Sequence, residues 1–178
     1  MNQEVVHGIP DKHRIIHEGD IVSLDAGVIY KGYHSDAART HAVGEVSEEA
    51  KKLIQVTKEC FFEGIKYAKA GNHLFDISGA IGRYAEERGY GVVRDLCGHG
   101  IGTALHEAPE IPNYEVGRKG VKLRPGMTLA IEPMINIGTY EVDWLDDDWT
   151  VVTRDGSLAA HYENTVLITE GEPKLLSL

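Results

Sequence analysis

The sequence predicts a mixed α/β fold of the α+β kind, with strands at both ends of the chain and two helices between them. Three observations carry this. First, the apolar run Ile21 to Ile29 is followed, across Tyr30-Lys31-Gly32-Tyr33, by a second extended run ending at Val43. Two extended runs around a Gly-containing turn read as an antiparallel hairpin. Second, Leu53, Ile54, Val56, Cys60, Phe61, Ile65 and Ala68 recur at helical spacing. Third, beyond Gly91 short apolar runs alternate with glycine and proline, as strands alternate with loops.

Taken in order, Glu4 to His7 predicts a short strand, broken by Gly8-Ile9-Pro10-Asp11. In the hairpin, a two-residue Lys31-Gly32 loop pairs Tyr30 with Tyr33. Asp36 then lies opposite Gly27, and Asp25 is its diagonal neighbour on the same face, roughly 7–8 Å away. Ser47 starts the first helix, with Val46 before it and Glu48 and Glu49 in its first turn. That helix is expected to reach Ala70 and end at Gly71. Asn72 is expected to cap a second helix from Leu74 to Arg88, ended by Gly89. Strands are expected over Val92-Val93, Gly98 to Leu105, Met127 to Ile137, Trp149 to Thr153 and Ala159 to Thr169. Pro133 predicts an interruption or an edge in the third of these. Pro109, Pro112 and Pro125 make Ala108 to Gly126 a long surface-hugging loop.

A chain of 178 residues is the size of one domain, and 1–178 is read as a single unit. Hydrophobic residues make up 42% and charged residues 26%, ordinary for a soluble globular protein. With 28 acidic against 18 basic residues the formal charge is -10, which argues against nucleic-acid and anionic-membrane binding. Two cysteines, Cys60 and Cys97, are too few for a disulfide framework and point to a reducing compartment. No run reaches transmembrane length, and Met1 to Val6 has none of the regions of a signal peptide. A cytoplasmic location is expected.

The chemistry lies in charged residues embedded in apolar strands. Asp25 and Asp36 share a hairpin face, Glu132 sits in Leu129-Ala130-Ile131-Glu132-Pro133-Met134, and Glu163 sits in a run of the same character. A carboxylate in such a setting is costly unless paired or bound to a cation. His99 is flanked by Gly98 and Gly100, which let the backbone approach a neighbour closely. Four negative charges match two divalent cations, whereas one zinc leaves the set unbalanced. An oxygen-rich set with a single nitrogen suits Mn(II), Fe(II) or Co(II), with zinc admissible. Two such ions can activate a bridging hydroxide and polarise a carbonyl, the chemistry of peptide or phosphate hydrolysis.

The motifs His7-Gly8-Ile9-Pro10, Leu24-Asp25-Ala26-Gly27, Ser35-Asp36-Ala37-Ala38-Arg39-Thr40, Gly98-His99-Gly100-Ile101-Gly102, His106-Glu107-Ala108-Pro109, Ile131-Glu132-Pro133-Met134 and Tyr162-Glu163-Asn164-Thr165 resemble the bacterial type I methionine aminopeptidases. The resemblance covers nearly the whole chain. It implies the pita-bread fold, a curved antiparallel sheet with helices on its outer face and a dinuclear metal site at its centre. It implies removal of the initiator methionine from peptides and nascent proteins. By the same resemblance Asp25 holds one metal, His99 and Glu132 the other, and Asp36 and Glu163 bridge both. His106 contacts the substrate carbonyl and its tetrahedral adduct, His7 the next amide, and Glu132 also moves a proton. Leu105 and Trp149 match positions near the methionine pocket, and a monovalent cation is expected near Asn2. The family carries a segment ahead of Asn2 that supplies the helices of the first half. The expectation is therefore an N-terminally shortened form, with an apolar hairpin face left for a homodimer to cover. Two alternatives stand beside this reading: an aminopeptidase P/prolidase-like peptidase, and an inactive pita-bread binding module.

Overall fold

In a computed structural model of the chain, which describes residues 1–177, the elements form four antiparallel sheets and two helices. Strand β1 (Glu4–Val6) opens the chain. The hairpin follows as β2 (Ile21–Tyr30) and β3 (Tyr33–Ala42), in the expected register: Tyr30 faces Tyr33, Gly27 faces Asp36 and Ala38 faces Asp25. Lys31 and Gly32 both take positive φ, 50° and 80°, the primed turn whose twist suits a two-residue hairpin loop.

Helix α1 (Glu48–Ile65) is capped by Ser47, whose hydroxyl accepts from the Ala50 N–H at 3.1 Å. It stops at Ile65, short of the expected Ala70. Beyond it, Tyr67 and Ala68 donate to Gly64 and Ile65, three residues back, while Ala70 and Gly71 donate to Thr169 and Leu123. The back half of the chain thus takes the donors that a longer helix needs. Helix α2 (Leu74–Glu86) is capped by His73, not Asn72. The Asp76 carboxylate accepts from the His73 N–H at 2.8 Å, while the Asn72 amide donates to the Tyr67 carbonyl. The two helices meet at Gly64, where a Cβ would lie 2.6 Å from Ile81.

The back half supplies β4 (Gly91–Val92), β5 (Gly98–Gly100), β6 (Glu107–Ile111), β7 (Thr128–Ile131), β8 (Met134–Asn136), β9 (Val142–Trp144), β10 (Val151–Thr153), β11 (Ala159–His161), β12 (Asn164–Leu167) and β13 (Lys174–Leu175). The sheet orders are β1-β10-β9, β11-β8-β4, β13-β12-β7-β5-β6 and β2-β3. Three expectations are corrected. The strand predicted from Gly98 to Leu105 ends at Gly100, because the chain turns on itself where Gly102 donates to Ala104 and its carbonyl accepts from His34. The predicted loop begins as a strand, β6, because Pro109 sits on the outer strand of its sheet, where a missing N–H need cost no ladder bond. The strand predicted from Ala159 to Thr169 is split in two at Tyr162-Glu163, whereas the interruption expected at Pro133 is present between Ile131 and Met134.

The main core lies between the helices and these sheets, with Leu53, Phe61, Ile77, Ile81, Leu129, Ile131 and Val166 fully buried. The outer face of the hairpin is open: Leu24, Val28, Tyr30 and Tyr33 are each about 60–70% exposed. Among the described residues no helix is long and apolar enough to cross a membrane.

Candidate metal centre

Glu132 and Glu163 occupy equivalent breaks. Strands β7 and β12 pair up to Ile131 and Asn164, and β8 and β11 pair from Met134 and His161. Each glutamate therefore sits where two neighbouring strands leave one sheet for another. Such a break frees a side chain from strand alternation while the backbone on both sides stays paired. The break at Glu163 is held from the hairpin. Its N–H donates to the Ala38 carbonyl at 2.9 Å, and the Arg39 guanidinium donates to its carbonyl and to Asn164 Oδ1. Asp36 is tied to the same level: its N–H donates to Thr165 Oγ1 at 2.8 Å.

His99 enters from β5. A Cβ on Gly98 would lie 2.4 Å from the Ala130 carbonyl oxygen, and one on Gly100 would lie 2.2 Å from that of Ala108. Both glycines are therefore required for β5 to run between its neighbours. His99 Nδ1 lies 2.9 Å from the Gly100 carbonyl, which can only accept. Nδ1 therefore carries the proton and Nε2 is left with its lone pair for a ligand.

The side chains converge. Asp36, His99 and Glu163 each offer one ligand atom within 4.8 Å of the others. Glu132 Oε1 lies 3.4 Å from His99 Nε2. Asp25 lies on the same hairpin face as Asp36, and its carboxyl is pushed up by burial, with Asp36 and Glu132 pushing the same way and His161 and His7 opposing. Glu163 is pushed furthest, to about 10, by burial first and then by Glu132, Asp36 and Asp25. Its Oε1 is buried with no hydrogen-bond partner among the described residues. Four carboxylates this close cannot all ionise without cations between them. The orphaned Glu163 oxygen and the His99 Nε2 lone pair fit divalent metal, and the residues that fit are Asp25, Asp36, His99, Glu132 and Glu163.

These five, with His7 and His106, line one cavity of about 970 Å³. His106 packs edge-on against His99, ring centroids 4.4 Å apart. His7 takes φ 60° and stacks on Trp149 at 4.9 Å. That left-handed backbone is unusual for histidine, and strain of this kind gathers at functional positions. Leu105 and Trp149, expected near the methionine pocket, are not among the residues lining this cavity: Leu105 packs near Gly27, and Trp149 touches the site only through its stack on His7. The Asn2 side chain fastens the start of β2, accepting from the Ile21 N–H and donating to Asp20. Cys97 lines the cavity as a half-buried free thiol, held up by burial and by Glu110. His161, which lies in none of the positions singled out from the sequence, is 2% exposed and faces Glu132. The available signal was its spacing, two residues before Glu163 in an extended run.

Fold and centre together define a metallohydrolase. The model of metallopeptidase family M24 matches residues 1–170. The methionine aminopeptidase of Clostridium acetobutylicum is 61% identical over 178 residues, all of this chain and 71% of that protein. The crystal structure of methionine aminopeptidase from Thermotoga maritima superposes with a TM-score of 0.96 at 50% identity, covering 99% of this chain and 71% of that one. The prolidase from Pyrococcus furiosus superposes less well, with a TM-score of 0.70 at 30% identity over 92% of this chain and 42% of its own. The chain belongs to metallopeptidase family M24, among its methionine aminopeptidases, and has the pita-bread fold.

Proposed function

We propose that the chain removes N-terminal methionine from peptides and nascent proteins, acting as one catalytic unit over 1–178. The observation that carries this is the gathering of four carboxylates and one imidazole along one cavity, with Asp36, His99 and Glu163 each offering a ligand atom within 4.8 Å of the others, in a fold that superposes on a methionine aminopeptidase. Asp25, Asp36, His99, Glu132 and Glu163 hold two divalent ions of the Mn, Fe(II) or Co kind, zinc being the softer alternative. When bound, the ions supply Lewis acidity, polarising the scissile carbonyl and making a water nucleophilic at neutral pH. Glu132, at the cavity wall beside His99, would take the proton of the attacking water. His106, exposed at the cavity wall, donates to the carbonyl oxygen as it gains charge. His7 contacts the following amide and assists the departing nitrogen, its ring held by Trp149. Leu105 and Trp149 border the methionine side. The Asn2 side chain is spent on Ile21 and Asp20, so a monovalent cation there gains no support from it.

A cytoplasmic setting fits a chain with two free cysteines, and a peptide partner fits an open, carboxylate-lined cavity. A homodimer would cover the exposed hairpin face. The test of the main reading is hydrolysis of Met-Ala-Ser and of Ala-Pro peptides with added Mn(II) or Co(II). Cleavage of Met-Ala-Ser alone is expected. Cleavage of Ala-Pro would place the chain with the prolidases, and binding without cleavage of either would make it an inactive module.

A further inference from the structure

His161 is a buried imidazole to which the mechanism assigns no part. It ends β11, paired to Met134 directly after the Glu132-Pro133 break. Its backbone is clamped by one side chain: the His161 N–H donates to Thr40 Oγ1 at 2.8 Å, and the Thr40 hydroxyl donates to the His161 carbonyl at 3.0 Å. The ring therefore has little freedom of position. Its Nε2 is buried without a hydrogen-bond partner among the described residues and lies 3.6 Å from Glu132 Oε2. The other Glu132 oxygen lies 3.4 Å from His99 Nε2. Glu132 is thus bracketed by two imidazole nitrogens, one on each oxygen.

The two imidazoles differ in what they offer. His99 presents a lone pair, because its Nδ1 proton is committed to Gly100. A buried, orphaned nitrogen facing one carboxylate oxygen is worth most as an N–H donor to it. At 3.6 Å the pair is a few tenths of an ångström beyond hydrogen-bond length, so a shift of that size in the Glu132 side chain is what the bond requires.

We propose that His161 is a positioning residue of the metal centre: its Nε2–H holds Glu132 Oε2, which reserves Oε1 for the ion shared with His99. Outer partners of this kind orient a ligand, and their loss typically weakens metal binding by about 10–100-fold. The inference rests on the metal centre proposed above and asks nothing of the substrate.

The experiment is titration of chelator-stripped protein with Co(II) alone, read by calorimetry and by the visible absorption of the bound ion. Wild type, His161→Leu, His161→Gln and Glu132→Gln are compared, with the double variant His161→Leu/Glu132→Gln. Melting of each metal-free protein checks its fold. His161→Leu is expected to bind about 10–100-fold more weakly and to shift the absorption bands. His161→Gln, whose amide keeps a donor, is expected to stay near wild type. In the Glu132→Gln background, His161→Leu is expected to add little, because its effect runs through that carboxylate. Should the Leu variant not fold, His161→Asn replaces it, its amide being too short to reach. Wild-type affinity and spectrum in the Leu or Asn variant would overturn the proposal. So would a Gln variant as weak as Leu, or an undiminished loss in the Glu132→Gln background. Failure of the wild-type protein to bind Co(II) would instead overturn the metal centre itself.

Discussion

At the scale of single residues, the site separates groups that hold metal from groups that meet substrate. His106 touches His99 but is itself exposed at the cavity wall, so its removal leaves the carboxylate set intact. His106→Ala is expected to lower kcat by about 10²–10³-fold, the usual cost of one donor to a developing oxyanion, with metal content unchanged. Glu132→Gln is expected to lower both activity and metal content. Steady-state kinetics beside metal analysis of the same samples checks this, and loss of metal from His106→Ala would refute the division. Asp36 and His99 could be singled out as candidates in the sequence, Asp36 by the hairpin register that sets it on the face of Asp25 and His99 by the glycines on either side of it. His161 was not, because a buried histidine shows its purpose only through what its ring faces.

At the scale of elements, the turns that carry the back half are pinned by polar side chains. Asp155 follows β10 and accepts from the Thr139 N–H at 2.8 Å and the Ser157 N–H at 3.0 Å. Hydrogen bonds to Ser157, first, and then to Thr139 hold its carboxyl down at about 2, below its ordinary 3.8. A depressed acid stabilises the fold above its unfolded value, and the gain is lost as pH falls through the folded one. Wild type should therefore melt higher than Asp155→Asn by a constant margin above about pH 5. The margin should shrink toward nothing near pH 2, as followed by thermal melts across that range. A margin that persists at pH 2 would mean that the side chain acts through shape. The existence of both helices was readable from the spacing of apolar residues, and the hairpin register from its two-residue Lys31-Gly32 turn. Element ends were not: α1 stops where Thr169 and Leu123 take its donors, and both lie roughly a hundred or fifty residues away in the chain.

At the scale of the molecule, the two halves of the chain are unequally covered. The helices pack against the core of the back half and the base of the hairpin, and the outer face of β2 and β3 faces solvent through Leu24, Val28, Tyr30 and Tyr33. A contiguous apolar face on one side of a two-stranded sheet calls for cover. A second copy is the proposed cover, since two-fold dimers are the commonest closed assembly. Sedimentation is expected to show a dimer, and Val28→Lys, on the exposed face, is expected to return it to monomer without loss of metal. A wild-type monomer that binds no hydrophobic dye would remove the argument.

By itself the sequence determined the hairpin register, the presence of two amphipathic helices and the five candidate ligands. Each of these follows from local features: a two-residue turn sets the register, apolar periodicity gives the helices, and charges among apolar neighbours or an imidazole between glycines mark the ligands. The tertiary structure decided the second break, at Tyr162-Glu163, which sets Glu163 beside the Glu132 break signalled by Pro133, and which side chains of the hairpin reach them. It also decided that His161 faces Glu132. Those outcomes depend on contacts between residues far apart in the chain, and no spacing along one strand encodes the neighbour that a side chain meets across a sheet break.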